Sequence, residues 1–377
     1  MTTKLQNGFG SASSAAATIP EIVSDLTARI PTDTTRLLSV FFSARHPAND
    51  LAQALKTAYP EATIIGCTTA GELSDQGFTE QGVSAIGMDD QIVKRIAVGT
   101  AQRCTTDADA IPKALKSLAS ELDVNLDQLD PAKYLGLVIT DGTSGHEEKV
   151  MDALATAAFN ITFVGGSAGD DLQFQQAFVM ADGQVYTDTA VLVLLETERP
   201  FTILKTQSFR TTDTVWQVTK ADTDNRIVHE FDGRPAAEVY AETLGIAKSE
   251  IGDHFMRNPI GLLVGDEPYV RSPQQPEGEN SIRFYCQVTE GSRVHLLETA
   301  DMVADTTRDL QRVRTELGSL SGMLVFNCIL RYLDAKNRDL IGPLGQCYSI
   351  APAAGFNTYG EQYLGHINQT ATIVCFA

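Results

Sequence analysis

An apolar strand, a turn, a helix, a second apolar strand and a small-residue loop ending in a carboxylate recur three times along this chain, and that repetition narrows the fold more than any other feature. The first copy runs LLSVFFSA (37–44), a helical stretch near 48–58, then TIIGCTTAGE (63–72). The second runs LGLVITDG (135–142), a helical stretch near 146–157, then TFVGGSAGD (162–170), with Asp171 next. The third runs GMLVFNCI (322–329), a less regular middle, then YSIAPAAGF and NTYGE (348–361). Strand, helix and strand within about thirty residues form a β-α-β crossover, whose right-handed rule makes the strands parallel and puts both ends on one sheet edge. Ligands of such sheets sit outside the carboxyl ends of the strands. There the sequence places Cys67, Thr68, Thr69, Glu72, Asp141, Ser167, Asp170, Arg331 and Glu361.

Between the copies, the pattern predicts further elements. Residues 1–18 read as a flexible arm, and Ile22, Val23, Leu26 and Ile30 recur at helical spacing over 21–30. The β-rich runs 82–88 and 92–99, separated by Asp89, Asp90 and Gln91, read as a hairpin. A helix is expected near 107–121, and Asp182-Gly183 between apolar runs is a strong hairpin signal. Runs 201–209 and 214–221 extend the sheet, and 232–245 forms a helix opened by Pro235 and closed by Gly245. A domain boundary is placed there, giving domains 19–231 and 232–377. Farther on come an exposed loop at 273–280, a hairpin around Glu290-Gly291, a helix over 301–316 and a last strand, TATIVCFA. The whole predicts an α/β (α+β) protein with mixed sheets covered by helices.

Composition narrows the function. With 29 Lys and Arg against 48 Asp and Glu, the net charge of −19 argues against nucleic acid or an anionic membrane as partner. The six cysteines, Cys67, Cys104, Cys286, Cys328, Cys347 and Cys375, form no CxxC pair, so they are expected reduced, with neither zinc nor disulfides and no c-type haem attachment. No apolar run long enough for a signal peptide core opens the chain, and none would span a membrane, so the expected location is cytoplasmic.

The strings GCTTAGE (66–72), DGTSG (141–145), GGSAGDD (165–171), DGRPAAEVYAE (232–242), YVRS (269–272), FNCILR (326–331), GFNTYGEQ (355–362) and NQT (368–370) together resemble the FIST family, with its paired FIST-N and FIST-C domains. The resemblance spans nearly the whole chain from about residue 35 and implies a sensor that passes its signal to a separate protein. Among stand-alone members the chain looks most like the nitric-oxide-sensing NosP type. That likeness implies haem b, a partner histidine kinase of a two-component system or another signalling enzyme, and a role in biofilm and cyclic-diguanylate signalling.

A haem that binds a diatomic gas takes an axial histidine. His229, His254 and His366 are the leading candidates for the haem iron; His46 and His146 follow strands at the ligand edge, and His295 alternates with Val294 and Leu296 in a strand. Each could equally be an ordinary solvated or hydrogen-bonded histidine. The small-residue loops lack a P-loop lysine and end in acids that would repel phosphate. Carboxylates at that edge suit an ammonium group, so a second reading is an amino acid or similar metabolite in a pocket of Cys67, Thr68, Glu72, Asp141, Ser167, Asp170, Arg331, Tyr359 and Glu361, with Arg331 meeting its carboxylate. Alternatively, Glu72, Asp170 and Glu361 tie loops and Arg331 is their ion-pair partner. A nucleophilic enzyme built on Cys67 or Ser167 ranks last, because no G-x-S-x-G elbow is present and no histidine follows either loop. Nothing in the composition opposes assembly into an oligomer.

Overall fold

The computed structural model describes Leu5 and residues 7–377. Its first repeat comprises β1 (Phe9–Ser14), α1 (Ile19–Thr27), β2 (Leu37–Ser43), α2 (Ala48–Ala58), β3 (Thr63–Thr69), the hairpin β4 (Glu72–Ser74) and β5 (Gly77–Thr79), and β6 (Val83–Met88). The second follows the same order: β7 (Val93–Gln102), α3 (Ala110–Glu121), β8 (Tyr134–Asp141), α4 (Glu147–Ala157), β9 (Phe163–Ala168), the hairpin β10 (Val179–Ala181) and β11 (Gln184–Tyr186), and β12 (Thr189–Thr197). The third opens with β13 (Phe201–Gln207) and is interrupted by an insert of β14 (Phe209–Asp222), β15 (Ile227–Phe231), β16 (Arg234–Pro235), α5 (Ala236–Leu244), α6 (Ile251–His254), β17 (Ile260–Val264), β18 (Glu267–Arg271), β19 (Pro273–Glu277), β20 (Ser281–Phe284) and β21 (Arg293–Thr299). It resumes with α7 (Met302–Leu317), β22 (Gly322–Cys328), α8 (Ile329–Asn337), α9 (Ile341–Cys347), β23 (Ala353–Thr358), the hairpin β24 (Glu361–Tyr363) and β25 (His366–Ile367), and β26 (Thr370–Phe376).

The three expected crossovers form: β2 with β3, β8 with β9 and β22 with β23 are parallel neighbours. In each repeat the last strand lies antiparallel on the first crossover strand. The opening strand pairs with it from the other side. The hairpins leave their own repeats. Strand β4 joins β23, β10 joins β3 and β24 joins β9, so each sheet is completed by another repeat and the exchange closes on itself.

Strand alternation explains how the sheets stack. Leu37 and Phe41, Leu135, Leu137 and Ile139, and Leu324 and Phe326 point from three different sheets into one shared core. The opposite faces, with Val40, Val138 and Val325, pack against α1 and α2, against α3 and α4, and against α7 and α9. The insert has a core of its own around Trp216, which stacks on Phe231 at 4.9 Å.

Helix signals hold where capping chemistry is explicit: Asp301 accepts from the amides of Val303 and Ala304, and α5 and α7 end at left-handed Gly245 and Gly318. Several expectations are corrected. The arm expected over 1–18 contains β1, held antiparallel to β6 from Phe9 to Ser14, and α1 begins at Ile19; residues 1–4 and 6 lie outside the described residues. Runs 82–88 and 92–99 do not form a hairpin, because both edges of β6 are already taken by β1 and β2, and β7 crosses to the sheet of β12. The runs around Glu290-Gly291 do not pair either: β20 lies between β15 and β19, while β21 lies between β14 and β17. Segment 273–277 is strand β19 rather than loop. Strands β13 and β14, read as extending one sheet, enter different sheets.

The glycines that open the three small-residue loops have one structural task. Gly66 pairs with Val40, Gly165 with Val138 and Gly355 with Val325. A Cβ on each would lie 1.9, 1.7 and 1.9 Å from the valine carbonyl oxygen, a contact that only backbone movement could relieve. Gly165→Ala is expected to destabilise the protein by about 3 kcal/mol, the upper end of overpacking costs. Gly252→Ala, whose Cβ would meet Pro276 Cδ at 3.9 Å, should fall within about 1 kcal/mol of the parent. Denaturant midpoints check both.

Candidate functional site

The expected polar residues sit where the three second crossover strands end, but those ends bond one another instead of surrounding a hollow. Gly169 N–H donates to the Thr68 carbonyl at 2.9 Å, Ala70 N–H to that of Asn357 at 3.2 Å, and Tyr359 N–H to that of Ser167 at 3.1 Å. Thr68 Oγ1 accepts from Phe178 N–H at 2.8 Å, and Ser167 Oγ accepts from Gln362 Nε2 at 2.8 Å. Asp141 accepts from the amides of Thr143 and Asp188 at 2.9 and 2.7 Å. Cys67 is fully buried, and burial pushes its thiol well above the ordinary value.

The two glutamates share one task. Glu72 accepts from Thr69 Oγ1 at 2.7 Å and from Gly82 N–H at 2.7 Å; Glu361 accepts from Thr370 N–H at 2.9 Å and from the Thr370 hydroxyl. Each carboxyl thus fastens an exported hairpin to the strand that returns from it. Burial pushes Glu72 up to about 7 and Glu361 up to about 8, against these hydrogen bonds.

Arg331 is 1 % exposed and donates to Asn327 Oδ1 at 2.9 Å, Tyr348 Oη at 3.1 Å and Thr306 Oγ1 at 2.5 Å. These partners are all neutral, so it joins β22, α7 and the segment after α9 instead of meeting the loop carboxylates.

A cavity opens where the third repeat departs from the other two. Residues 44–47 connect β2 to α2 and residues 142–146 connect β8 to α4, but β22 runs straight into α8, with Cys328 both last strand residue and N-cap. Beside this junction lies a cavity of about 170 Å³ lined by Gly142, Glu147, Leu172, Phe174, Arg226, Gln274, Tyr285, Cys328, Ile329, Leu330, Leu333, Tyr359 and Asn368. Of the expected pocket residues only Tyr359 lines it. Asp170 reaches it at second hand, accepting from Tyr359 Oη at 2.5 Å.

The lining is divided by chemistry. Ile329, Leu330, Leu333, Leu172 and Phe174 supply an apolar wall. The first turn of α8, capped by no side-chain oxygen among the described residues, brings positive potential to the same wall. Asn368 is 1 % exposed, and its Oδ1 has no hydrogen-bond partner among the described residues, so a buried acceptor is left that a donor would satisfy. Arg226, from the insert, donates to Glu147 at 2.8 Å and Glu148 at 2.6 Å and to the Tyr285 carbonyl at 2.9 Å, tying the insert to the start of α4. The NQT string gave a signal for Asn368, and FNCILR for Cys328; Arg226 and Glu147 carried none, because only the fold brings them together.

The residues that line this cavity do not fit a haem. A cavity of about 150 Å³ accommodates benzene, and a porphyrin is several times larger than this 170 Å³ space allows. None of the six histidines lines it. His229 lies on β15 with Nδ1 2.8 Å from Ser281 Oγ, and His254 ends α6. His366 is buried against Gly360 with Nδ1 3.2 Å from Gln362, and burial lowers its pKa. His46 and His146 are buried at the first two strand-to-helix connections, and His295 is half-buried on β21. Among the described residues no cluster of three metal-binding side chains occurs, and no helix is long and apolar enough to cross a membrane.

Residues 36–234 match the FIST N domain and residues 236–364 match the FIST C domain. The chain belongs to the FIST family. FIST domains are small-ligand-sensing signalling modules. The boundary between the two matches falls inside the insert, at the junction of β16 and α5. This FIST protein is also similar to an uncharacterized protein of Methanocaldococcus jannaschii, 26% identical over 265 residues, which are 65% of this chain and 50% of the relative. The chain thus spans about half the length of the curated relative it matches.

A raised carboxyl pKa makes stability depend on pH with a definite sign. The native state keeps the Glu361 proton up to about 8, whereas an unfolded glutamate loses it near 4.3. Between those limits the native state holds more protons, so stability falls as pH rises. Glu361→Gln, which cannot ionise, should gain on the parent by at most about 1.4 kcal/mol per pH unit between pH 5 and 8. Urea midpoints across that range measure it.

Proposed function

We propose that this FIST protein senses a small zwitterion of amino-acid size in the cavity beside the start of α8. The orphaned Oδ1 of Asn368, a residue that lines the same space as the uncapped first turn of α8, carries the reading. A ligand carboxylate would meet the positive end of α8 and Arg226, its ammonium would meet Asn368 Oδ1 and Glu147, and its carbon skeleton would contact Leu330 and Leu333. Size supports this class: a space slightly larger than one that holds benzene suits a ligand of that order.

The same residues suggest how occupancy becomes a signal. Glu147 is at once a wall of the cavity and an anchor for Arg226, so a cationic ligand group competes with the insert for one carboxylate. A ligand that favours one attachment of the insert by 1 to 3 kcal/mol shifts the balance of conformations enough for a partner to read. A histidine kinase is the partner class the sequence resemblance implies.

Calorimetric titration and thermal shift with a panel of proteinogenic amino acids test the reading. At least one should bind, and Asn368→Ala should weaken it about tenfold, the loss of one hydrogen bond of about 1.4 kcal/mol. The reading fails if no amino acid binds while added hemin gives a Soret band that moves with nitric oxide, the outcome the NosP likeness implies.

A further inference from the structure

We infer that residues 171–176 are a lid whose side chains Leu172 and Phe174 determine which ligand the cavity accepts, selecting an apolar ligand side chain over a charged one. This rests on the cavity reading above.

Three independent observations converge on the segment. Phe174 and Leu172 both line the cavity, yet they are 62% and 40% exposed, so two large apolar side chains stand together at its open side. Asp171, Leu172 and Phe174 all have positive φ, at 54°, 64° and 53°, a conformation that disfavours side chains bearing a Cβ. Only outside support keeps such a segment in place: Asp171 N–H donates to the Thr69 carbonyl and Asp171 accepts from Ser43 Oγ, and one carboxylate holds the far half. Asp170 accepts from the amides of Phe174, Gln175 and Gln176 at 2.8, 2.6 and 2.9 Å, and from Tyr359 Oη at 2.5 Å.

That arrangement is a hinge with an apolar tip. The segment hangs from Asp170 in the second repeat, while one face of Phe174 stacks on Tyr359 of the third at 4.8 Å and 20°. Leu172 N–H donates to the same Tyr359 oxygen at 2.9 Å, so a single tyrosine holds the tip from the cavity side. Leu330 and Leu333 line the same space. An apolar ligand side chain between them removes the outer surfaces of Leu172 and Phe174 from water as the lid settles. A charged side chain there would lose its hydration without gaining a partner.

The test compares L-leucine, L-alanine and L-aspartate on the full chain by calorimetry, for the parent, Phe174→Ala and Phe174→Leu. The parent should prefer leucine. Phe174→Ala should lose about tenfold for leucine and little for alanine, and Phe174→Leu should restore most of the difference; hydrogen exchange at 172–176 should slow with leucine bound. Equal loss for leucine and alanine in Phe174→Ala, or a parent that prefers aspartate, would overturn the lid and leave the cavity reading standing. Failure of the parent to bind any of the three or any other amino acid overturns both.

Discussion

An open edge on a parallel strand presents unpaired amides and carbonyls, and this protein closes three such edges with hairpins taken from elsewhere in the chain. Strands β3, β9 and β23 each have a crossover partner on one side and would end their sheets on the other. Hairpins from the second, third and first repeats fill those places, and the sheets then share one apolar centre. The polar tips of the strands are spent on this arrangement. Glu72 and Glu361 are buried because they fasten the hairpins, and the cost of burying them is visible in their raised pKa values.

Local signals in the sequence carried most of the elements and misassigned some of their partners. Crossovers, caps and the Asp182-Gly183 hairpin depend on neighbouring residues, so they were legible. Runs 82–88 and 92–99 looked like a hairpin because nothing nearby says that β6 already has two partners. The loops GCTTAGE and GGSAGDD suggested a ligand cradle, yet their glycines serve strand contact. Tyr359, read from the sequence as a pocket residue, lines the cavity, whereas Glu147 and Arg226 gave no signal, since they lie 79 residues apart and meet only through the insert.

Departure from repetition creates the site. Two strand-to-helix connections are filled by short loops containing a buried histidine, His46 and His146, whereas the third has no loop at all. The insert, present in that repeat alone, supplies Arg226, Gln274 and Tyr285 as the missing wall. Structural redundancy in three sheets thus coexists with one chemically distinct corner.

The circular exchange of hairpins also bears on how the chain is made. Because the second repeat's sheet needs β24 and β25, residues 361–367 must leave the ribosome before that sheet has all its strands. Until then the nascent protein exposes an apolar face and a bare strand border together, the combination most prone to aggregate. The last step in building that sheet therefore waits until nearly the whole chain has been made.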